Sequence, residues 1–351
     1  MEAFSMPCSK VMGRVAITAA HATPSTATVH REVGLSSNCQ RCPSGSDCKA
    51  FFYALRAPEA PPRASARPAA VHEEGPLDPR GAQAAALELN EKYSIDIELV
   101  IFTPDKTKGG SQMTSLAELF IENADGLIIS PENTEAVRAS IDFALQQGQE
   151  VVFFESQLSD RESLTSVLAD EIEAGRLAGR AILAKLPTKA RVAILTSATP
   201  GAELEQRMTG LREVLSYRRI ETTITCAPDY LSAIEAIRAA EEADRNDLIK
   251  GWVFLEDWPL LGMPSLPWKP GKLPIVAIQS SPSAFIYVDQ GYLDALVVHP
   301  YYDWGYKSVE TMIEKLHNKL EPDVTIVRTK PRIVDWRNAE DYRDSWKKWL
   351  K

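Results

Sequence analysis

The chain has no run of apolar residues that approaches the roughly 18–20 needed to cross a membrane as a helix. Histidine is scarce as well, with five in 351 residues, so few general bases are available. The motifs G-x-S-x-G, H-E-x-x-H and G-x-x-x-x-G-K-[ST] are absent, which removes the signatures of α/β-hydrolases, zinc proteases and phosphate-binding loops. The sequence therefore predicts no catalytic residues, no metal site, no cofactor and no enzyme activity.

Positive charge is also in short supply. The formal net charge of −9 argues against a nucleic-acid partner bound through its phosphates. Residues 1–80 hold nine Lys/Arg and seven Asp/Glu, which leaves +2 there and −11 for the remainder. Since 44% of the residues are hydrophobic, the chain can build one large or two ordinary domains. We expect the region after residue 80 to be a soluble, acidic globular unit.

Residues 1–80 differ from the rest in composition. Six prolines between 57 and 79 disfavour a helix and predict an irregular or disordered extension, in which 51–55 (FFYAL) is a possible first strand. Cys39-x-x-Cys42 and the nearby Cys48 lack a fourth ligand at zinc-finger spacing, which favours free or paired cysteines. The run Val15–Ala20 precedes an A-x-A sequence but is short for the apolar segment of a signal peptide.

A repeating pattern of strand and helix runs from residue 81 almost to the end of the chain. Apolar runs such as Val151–Phe154, Arg191–Thr196 and Ala295–Val298 alternate with segments of helical periodicity. This alternation predicts parallel sheets covered by helices on both faces, with ligands at the carboxyl ends of the strands. The strands fall into two clusters, which favours two Rossmann-like lobes over one wide sheet.

Several local motifs in this region resemble the type 1 periplasmic substrate-binding proteins, the ribose-binding-like sugar receptors of ABC importers. The motifs are Gly81-Ala-Gln-Ala-Ala-Ala, Ala124-Asp-Gly-Leu-Ile-Ile-Ser-Pro-Glu-Asn, Glu173-Ala-Gly-Arg-Leu-Ala-Gly, Arg207-Met-Thr-Gly-Leu and the segment Gly291–Val309. Their order and spacing carry the resemblance from about Gly81 to the C-terminus.

The resemblance implies an α/β protein with two lobes joined by a hinge, following the irregular extension. One lobe would comprise 81–169 and 300–322, and the other 170–299 and 323–351. The implied function is capture of a small polar ligand, a sugar, in the cleft between the lobes, for delivery to the membrane permease of an ABC importer. The resemblance further implies an exported or periplasmic monomer. A periplasmic sensor subunit that signals to a kinase or a chemoreceptor would have the same sequence features.

Two charged residues occupy positions that bind ligand in the family. Glu155 stands where relatives often have an Asp-Arg pair, although Ser156 replaces the arginine here. The alternative for Glu155 is a solvated loop carboxylate. Arg207 lies in the helix that lines the cleft in the family, and its planar fork of donors suits hydroxyls. Its alternative is a surface pair with Glu203 or Glu205 on the same helix.

A second group of candidates follows the strand near Gly251. Asp257 falls where the family has an Asn or Asp that binds ligand, and Trp258 could stack on the face of a sugar. The prolines after Trp258 predict a loop that holds Trp258 and Trp268 near the cleft opening. The alternative for Trp258 is packing within that loop.

Three further residues stand at strand ends or crossings. Gln279 replaces the family's Asp, and its amide can still donate and accept. His299 takes the place of a Gln and is either a ligand contact or a buried hinge histidine satisfied by the backbone. For Asp170, a helix N-cap is favoured over ligand contact.

The alternative to a solute receptor is a ligand-sensing transcription regulator of the LacI type, which shares the fold. Val15-Ala16 and the segment 25–31 faintly resemble its helix-turn-helix, but their spacing is about one helical turn too long. The extension also carries only a small positive charge.

Overall fold

The chain folds around two separate, mainly parallel β-sheets. The computed structural model describes residues 12–17, 51–56, 80–102, 124–131, 135–262, 266–278 and 281–343. The first sheet contains β1 (Met12–Ile17), β2 (Phe51–Arg56), β3 (Asp96–Phe102), β4 (Gly126–Ser130), β5 (Glu150–Phe154), β6 (Thr165–Ala169) and β12 (Ile326–Thr329). The second contains β7 (Arg191–Ser197), β8 (Ile220–Cys226), β9 (Ile249–Phe254), β10 (Ile275–Ile278), β11 (Ala295–Val298) and β13 (Arg332–Val334).

Helices connect most of these strands. They are α1 (Arg80–Tyr93), α2 (Glu135–Gln146), α3 (Glu171–Leu183), α4 (Ala202–Val214), α5 (Tyr230–Ala243), α6 (Pro282–Asp289) and α7 (Tyr301–Asn318). Short 3-10 turns occur at Tyr217–Arg219 and Trp258–Leu260. No helix in the described ranges is both long and apolar enough to span a membrane.

The strand order matches a doubly wound arrangement in each sheet. The first sheet runs β1-β3-β2-β4-β5-β6-β12, and the second runs β13-β11-β10-β9-β7-β8. β2 is antiparallel to its neighbours, as β13 is to β11, whereas the other pairings are parallel. The prediction of two lobes is therefore confirmed.

The central strands of the first sheet are buried on both faces, as parallel strands covered by helices must be. On β4, Ile128 packs in one cluster with residues of α1 and α7, while Leu127 and Ile129 pack in another with α2. The period of two along the strand explains the division, since successive side chains point to opposite faces. The second lobe has one large core built from both sides of its sheet.

Two strand assignments differ from the expectations. β2 covers the candidate at 51–55, but β1 was not recognised in the sequence. The domain prediction placed 323–351 in the second lobe, whereas β12 pairs with β6 in the first sheet. Apolar periodicity shows that β12 is a strand but does not show which sheet it joins. The apolar spacing of residues 113–124 predicts a helix as well, and this segment lies almost entirely outside the described residues.

The chain crosses between the two sheets three times. The crossings follow β6 at Asp170, β11 at His299-Pro300 and β12 at Lys330-Pro331. The first and third are tied together, because the Asp170 amide donates to the Thr329 carbonyl at 2.9 Å. The indole of Trp304, after the second crossing, donates to Thr329 Oγ1 at 2.7 Å. The three crossings thus form one hydrogen-bonded hinge beside the carboxyl ends of both sheets.

Candidate functional site

Polar side chains collect at the carboxyl ends of the strands next to the hinge. Glu155 follows β5, Asp257 lies shortly after β9, and His299 follows β11. Arg207 reaches the same region from α4. In open α/β sheets this edge is where ligands bind. Parallel pairing brings the ends of neighbouring strands to one edge, so distant positions in the sequence become neighbours.

Arg207 is the centre of a buried ionic network. Its Nε donates to Glu171 Oε2 at 2.7 Å and its Nη2 donates to Glu171 Oε1 at 3.0 Å, a bidentate pair. Nη1 donates to the Leu255 carbonyl and to Glu256 Oε1, each at 2.9 Å. The side chain is only 4% exposed. The surface pairing with Glu203 or Glu205 is therefore not what occupies these donors.

Glu171 joins the arginine to the hinge histidine. Its Oε2 lies 3.1 Å from His299 Nε2, and both side chains are buried. His299 is thus a buried hinge residue whose Nε2 partner is a carboxylate and not the backbone. Sequence reasoning missed Glu171 because its position at the start of α3 indicates only a helix terminus.

The ionisation of the network is fixed by its own charges. Burial alone would raise the pKa of Glu171, but the charges of Arg207 and His299 outweigh it and hold that pKa far below its usual range. Burial would likewise lower the pKa of Arg207, and the carboxylates of Glu171 and Glu256 raise it instead. The carboxylate and the guanidinium therefore both stay charged inside the protein.

Asp257 is buried at 6% exposure and anchors a neighbouring loop. Its Oδ2 accepts the backbone N–H of Ser281 at 2.6 Å, at the start of α6. This contact joins the loop after β9 to the loop after β10, so the carboxylate is held at the edge of the second sheet. The candidate Gln279, two residues before Ser281, lies outside the described residues.

The two candidate tryptophans belong to the core of the second lobe. Trp258, in the turn Trp258–Leu260, is 9% exposed and packs in the large apolar cluster. Trp268 packs against Trp252, with ring centroids 5.5 Å apart, and its indole donates to Glu241 at 2.7 Å. The expectation that the loop holds Trp268 near the cleft opening is wrong, because the indole is buried in the core, where it donates to Glu241 on α5.

Glu155 is the candidate that the first lobe contributes to the site. Its backbone is left-handed, with φ of 61°, and its Oε2 accepts a hydrogen bond from Ser130 Oγ at 3.0 Å. Ser156, which stands where the family has an arginine, donates to the Pro131 carbonyl at 2.9 Å. The half-buried carboxylate is therefore positioned by two adjacent strand ends.

Asp170 caps a helix. Its Oδ1 accepts the Glu173 amide at 2.9 Å, so the predicted N-cap of α3 is confirmed. Besides Glu171, two residues at the site, Glu256 and Tyr301, were not predicted from the sequence. Glu256 could have been suspected from the Glu-Asp pair after β9, while Tyr301 had no signal beyond its place in the hinge motif.

The described residues contain no group of His, Cys, Asp and Glu arranged to hold a metal ion.

Comparison with known proteins gives one sequence family and many similar folds. The family described as periplasmic binding protein domain matches residues 78–320. No curated protein matches the chain. Nothing in these comparisons supports the LacI-type regulator.

The structural neighbours share the two-lobe fold of type 1 periplasmic binding proteins. A periplasmic ribose ABC transporter from Conexibacter woesei has 20% identity and a TM-score of 0.63, covering 76% of this chain and 91% of its own. An arabinose-binding protein from Geobacillus stearothermophilus has 18% identity and a TM-score of 0.64, with 76% and 95% coverage. A periplasmic solute-binding protein from Actinobacillus succinogenes with bound D-allose has 18% identity, a TM-score of 0.60 and coverages of 76% and 96%.

Proposed function

The chain belongs to the periplasmic binding protein domain family, and from that premise we propose that it captures a neutral sugar between its two lobes for an ABC importer. The bound sugar is carried to a membrane permease and is not chemically changed. We further infer that the receptor is exported and acts as a monomer.

The observation that carries the proposal is the meeting of side chains from both lobes at the hinge. Glu155 comes from the first lobe and Asp257 from the second, and the charges of both act on the hydroxyl of Tyr301. Ligand-driven closure needs contacts that differ between the open and closed states. A ligand touching Glu155 and Asp257 at once meets that requirement.

The chemistry of these groups favours a ligand rich in hydrogen-bond donors. Carboxylates only accept hydrogen bonds, and sugar hydroxyls can donate to them. Arg207 is bound to two carboxylates, so it neutralises protein charge and does not create an anion-binding site. The structural neighbours include a ribose transporter, an arabinose-binding protein and a complex with D-allose, which supports a pentose or hexose as the ligand class.

The proposal is tested by calorimetric titration and thermal unfolding of the full chain with D-ribose, D-arabinose, D-galactose and D-allose. A sugar that binds only the folded protein stabilises it by about 2.7 kcal/mol at a hundredfold excess over its Kd. We expect at least one of these sugars to raise the Tm and to bind with one-to-one stoichiometry. Absence of binding by all four sugars contradicts the proposal, and a Tm shift from an amino acid or an organic acid would then identify another ligand class.

A further inference from the structure

Tyr301 stands at the second crossing between the lobes, as the first residue of α7. Its ring is fixed from two sides: the Trp304 ring meets it edge-on at 90° with centroids 5.0 Å apart, and the His299 ring lies 6.1 Å away. His299 is itself held by Glu171, and Trp304 by Thr329. The position of the phenol is therefore set by the hinge and does not depend on a flexible loop.

The hydroxyl of this fixed ring has no hydrogen-bond partner in the part of the chain that the structure describes. Tyr301 is 4% exposed, so bulk water does not serve the group either. A buried hydroxyl without a partner destabilises the folded protein, and phenylalanine would give the same ring packing without that cost. The packing of the described residues therefore gives no structural reason for the hydroxyl.

The surroundings of the hydroxyl are acidic. Burial, followed by the charges of Asp257 and Glu155, raises the pKa of Tyr301 well above its usual value, while Arg207 acts in the opposite direction. Tyr301 therefore remains a neutral phenol, able to donate one hydrogen bond. Because Asp257 and Glu155 belong to different lobes, the hydroxyl lies in the electric field of both sides of the cleft.

We propose that the Tyr301 hydroxyl is a specificity-determining ligand contact, donating a hydrogen bond to one hydroxyl of the bound sugar, which in turn donates to the Asp257 carboxylate. The inference rests on the proposed function. A group that accepts from the phenol and donates to the carboxylate must be a hydroxyl or its equivalent, since an ether oxygen only accepts and a methylene does neither. Tyr301 would thus reject the sugar that lacks this one hydroxyl.

Tyr306 provides a matched control on the same helix. Its hydroxyl donates to Glu88 Oε2 at 2.7 Å on the exposed side of α7, away from the hinge. Tyr306→Phe and Tyr301→Phe therefore remove the same atom from one helix, in one case from a surface hydrogen bond and in the other from a buried position beside the hinge.

The experiment measures Kd by calorimetry for the full-length wild type, Tyr301→Phe and Tyr306→Phe, using the tightest binder among D-ribose, D-arabinose, D-galactose and D-allose and its monodeoxy analogues. We expect Tyr301→Phe to weaken binding of the parent sugar at least tenfold and Tyr306→Phe to stay within twofold. One deoxy analogue should bind the wild type and Tyr301→Phe equally well. Without sugar, the Tm of Tyr301→Phe should equal or exceed that of the wild type.

Equal affinity of the wild type and Tyr301→Phe for the parent sugar overturns this inference and leaves the proposed function standing. A Tm several degrees lower without sugar overturns it too, because the hydroxyl then has a structural partner. If Tyr301→Phe does not fold, the affinities of the wild type for the deoxy analogues test the inference. Undiminished affinity for every analogue would then contradict a hydrogen bond from Tyr301 to one sugar hydroxyl. If the wild type binds none of the four sugars, the result contradicts both the proposed function and this inference.

Discussion

Gly175 on α3 lies directly against the backbone carbonyl of Arg207 on α4, so closely that a Cβ at residue 175 would overlap the oxygen. Gly210 on α4 meets the carbonyl of Ile172 in the same way. The two glycines let the helix backbones approach closely, and this approach brings Arg207 within reach of Glu171. The glycines in two of the sequence motifs are therefore explained by one helix crossing that positions the buried ion pair.

The first prediction follows from that crossing. Gly175→Ala should lower the free energy of unfolding by about 1–3 kcal/mol, because the helices must separate, although alanine itself favours the helix. The shift of Arg207 should also weaken sugar binding. Urea unfolding measures the first effect and calorimetry the second.

Thr209→Ala is the control for this change, since Thr209 is on the exposed side of α4, where its hydroxyl bonds to the Glu205 carbonyl. Its effect should stay within about 0.5 kcal/mol. A Gly175→Ala variant as stable as Thr209→Ala would show that the helix crossing tolerates a methyl group.

The second prediction concerns acid stability. Glu171 is ionised in the folded protein far below its usual pKa, so between the folded and unfolded pKa values the unfolded chain binds one more proton. Stability from this group is complete above about pH 5 and is lost as the pH falls below roughly 4.3, its unfolded value. The loss should approach about 1.4 kcal/mol per pH unit.

Glu171→Gln removes that term and, by leaving Arg207 with one less charge partner, should also destabilise the protein by about 3–5 kcal/mol at neutral pH. The readout is the difference in unfolding free energy between wild type and variant from pH 5 to pH 3, measured with urea. This difference should shrink on acidification. A constant difference across the range would contradict the assigned ionisation.

Periodicity and spacing were sufficient for the two lobes, most helices and the cap at Asp170, because these features follow from local patterns along the chain. The partners of Arg207 were not accessible in the same way. Sequence reasoning compared it with Glu203 and Glu205, its neighbours on one helix, whereas its carboxylate partners Glu171 and Glu256 lie 36 and 49 residues away. Only the close crossing of two helices brings Arg207 to Glu171.

Trp258 was predicted as a ligand contact because its residue type fits two different roles. An aromatic residue in a proline-rich loop beside a strand end is compatible with sugar stacking, and its residue type cannot distinguish that from packing. The structure places the side chain in the core of the second lobe. Tyr301 was overlooked for a related reason, since a tyrosine after a Pro at a hinge gives no sign that its hydroxyl will be buried with no partner among the described residues.

The third prediction separates binding from folding at Asp257. Asp257→Asn keeps an oxygen that can accept the Ser281 amide, so the Tm without sugar should fall by only a few degrees. The loss of a charged acceptor for sugar hydroxyls should raise the Kd about 10- to 100-fold. Asp257→Ala should reduce both the affinity and the Tm without sugar, because it also leaves the partly buried Ser281 amide without this acceptor. Unchanged affinity in Asp257→Asn would assign the carboxylate a purely structural role.

The final prediction concerns the charge of the ligand. Among the described residues at the site, the four carboxylates of Glu155, Glu171, Glu256 and Asp257 outnumber the one guanidinium, that of Arg207. A ligand carboxylate about 4 Å from Glu155 or Asp257 meets a repulsion of about 4 kcal/mol at an effective dielectric constant near 20, and salt screening reduces it. D-glucuronate should therefore bind at least tenfold more weakly than D-glucose, and D-glucosamine at least as well. Glu155→Gln should narrow the difference in Kd between D-glucose and D-glucuronate, because it removes one negative charge from the site. The ratios of Kd are measured by calorimetric competition against the tightest neutral sugar, at low salt and at 0.15 M salt. Preferential binding of D-glucuronate would show that a cation from elsewhere in the chain determines the charge preference of the site.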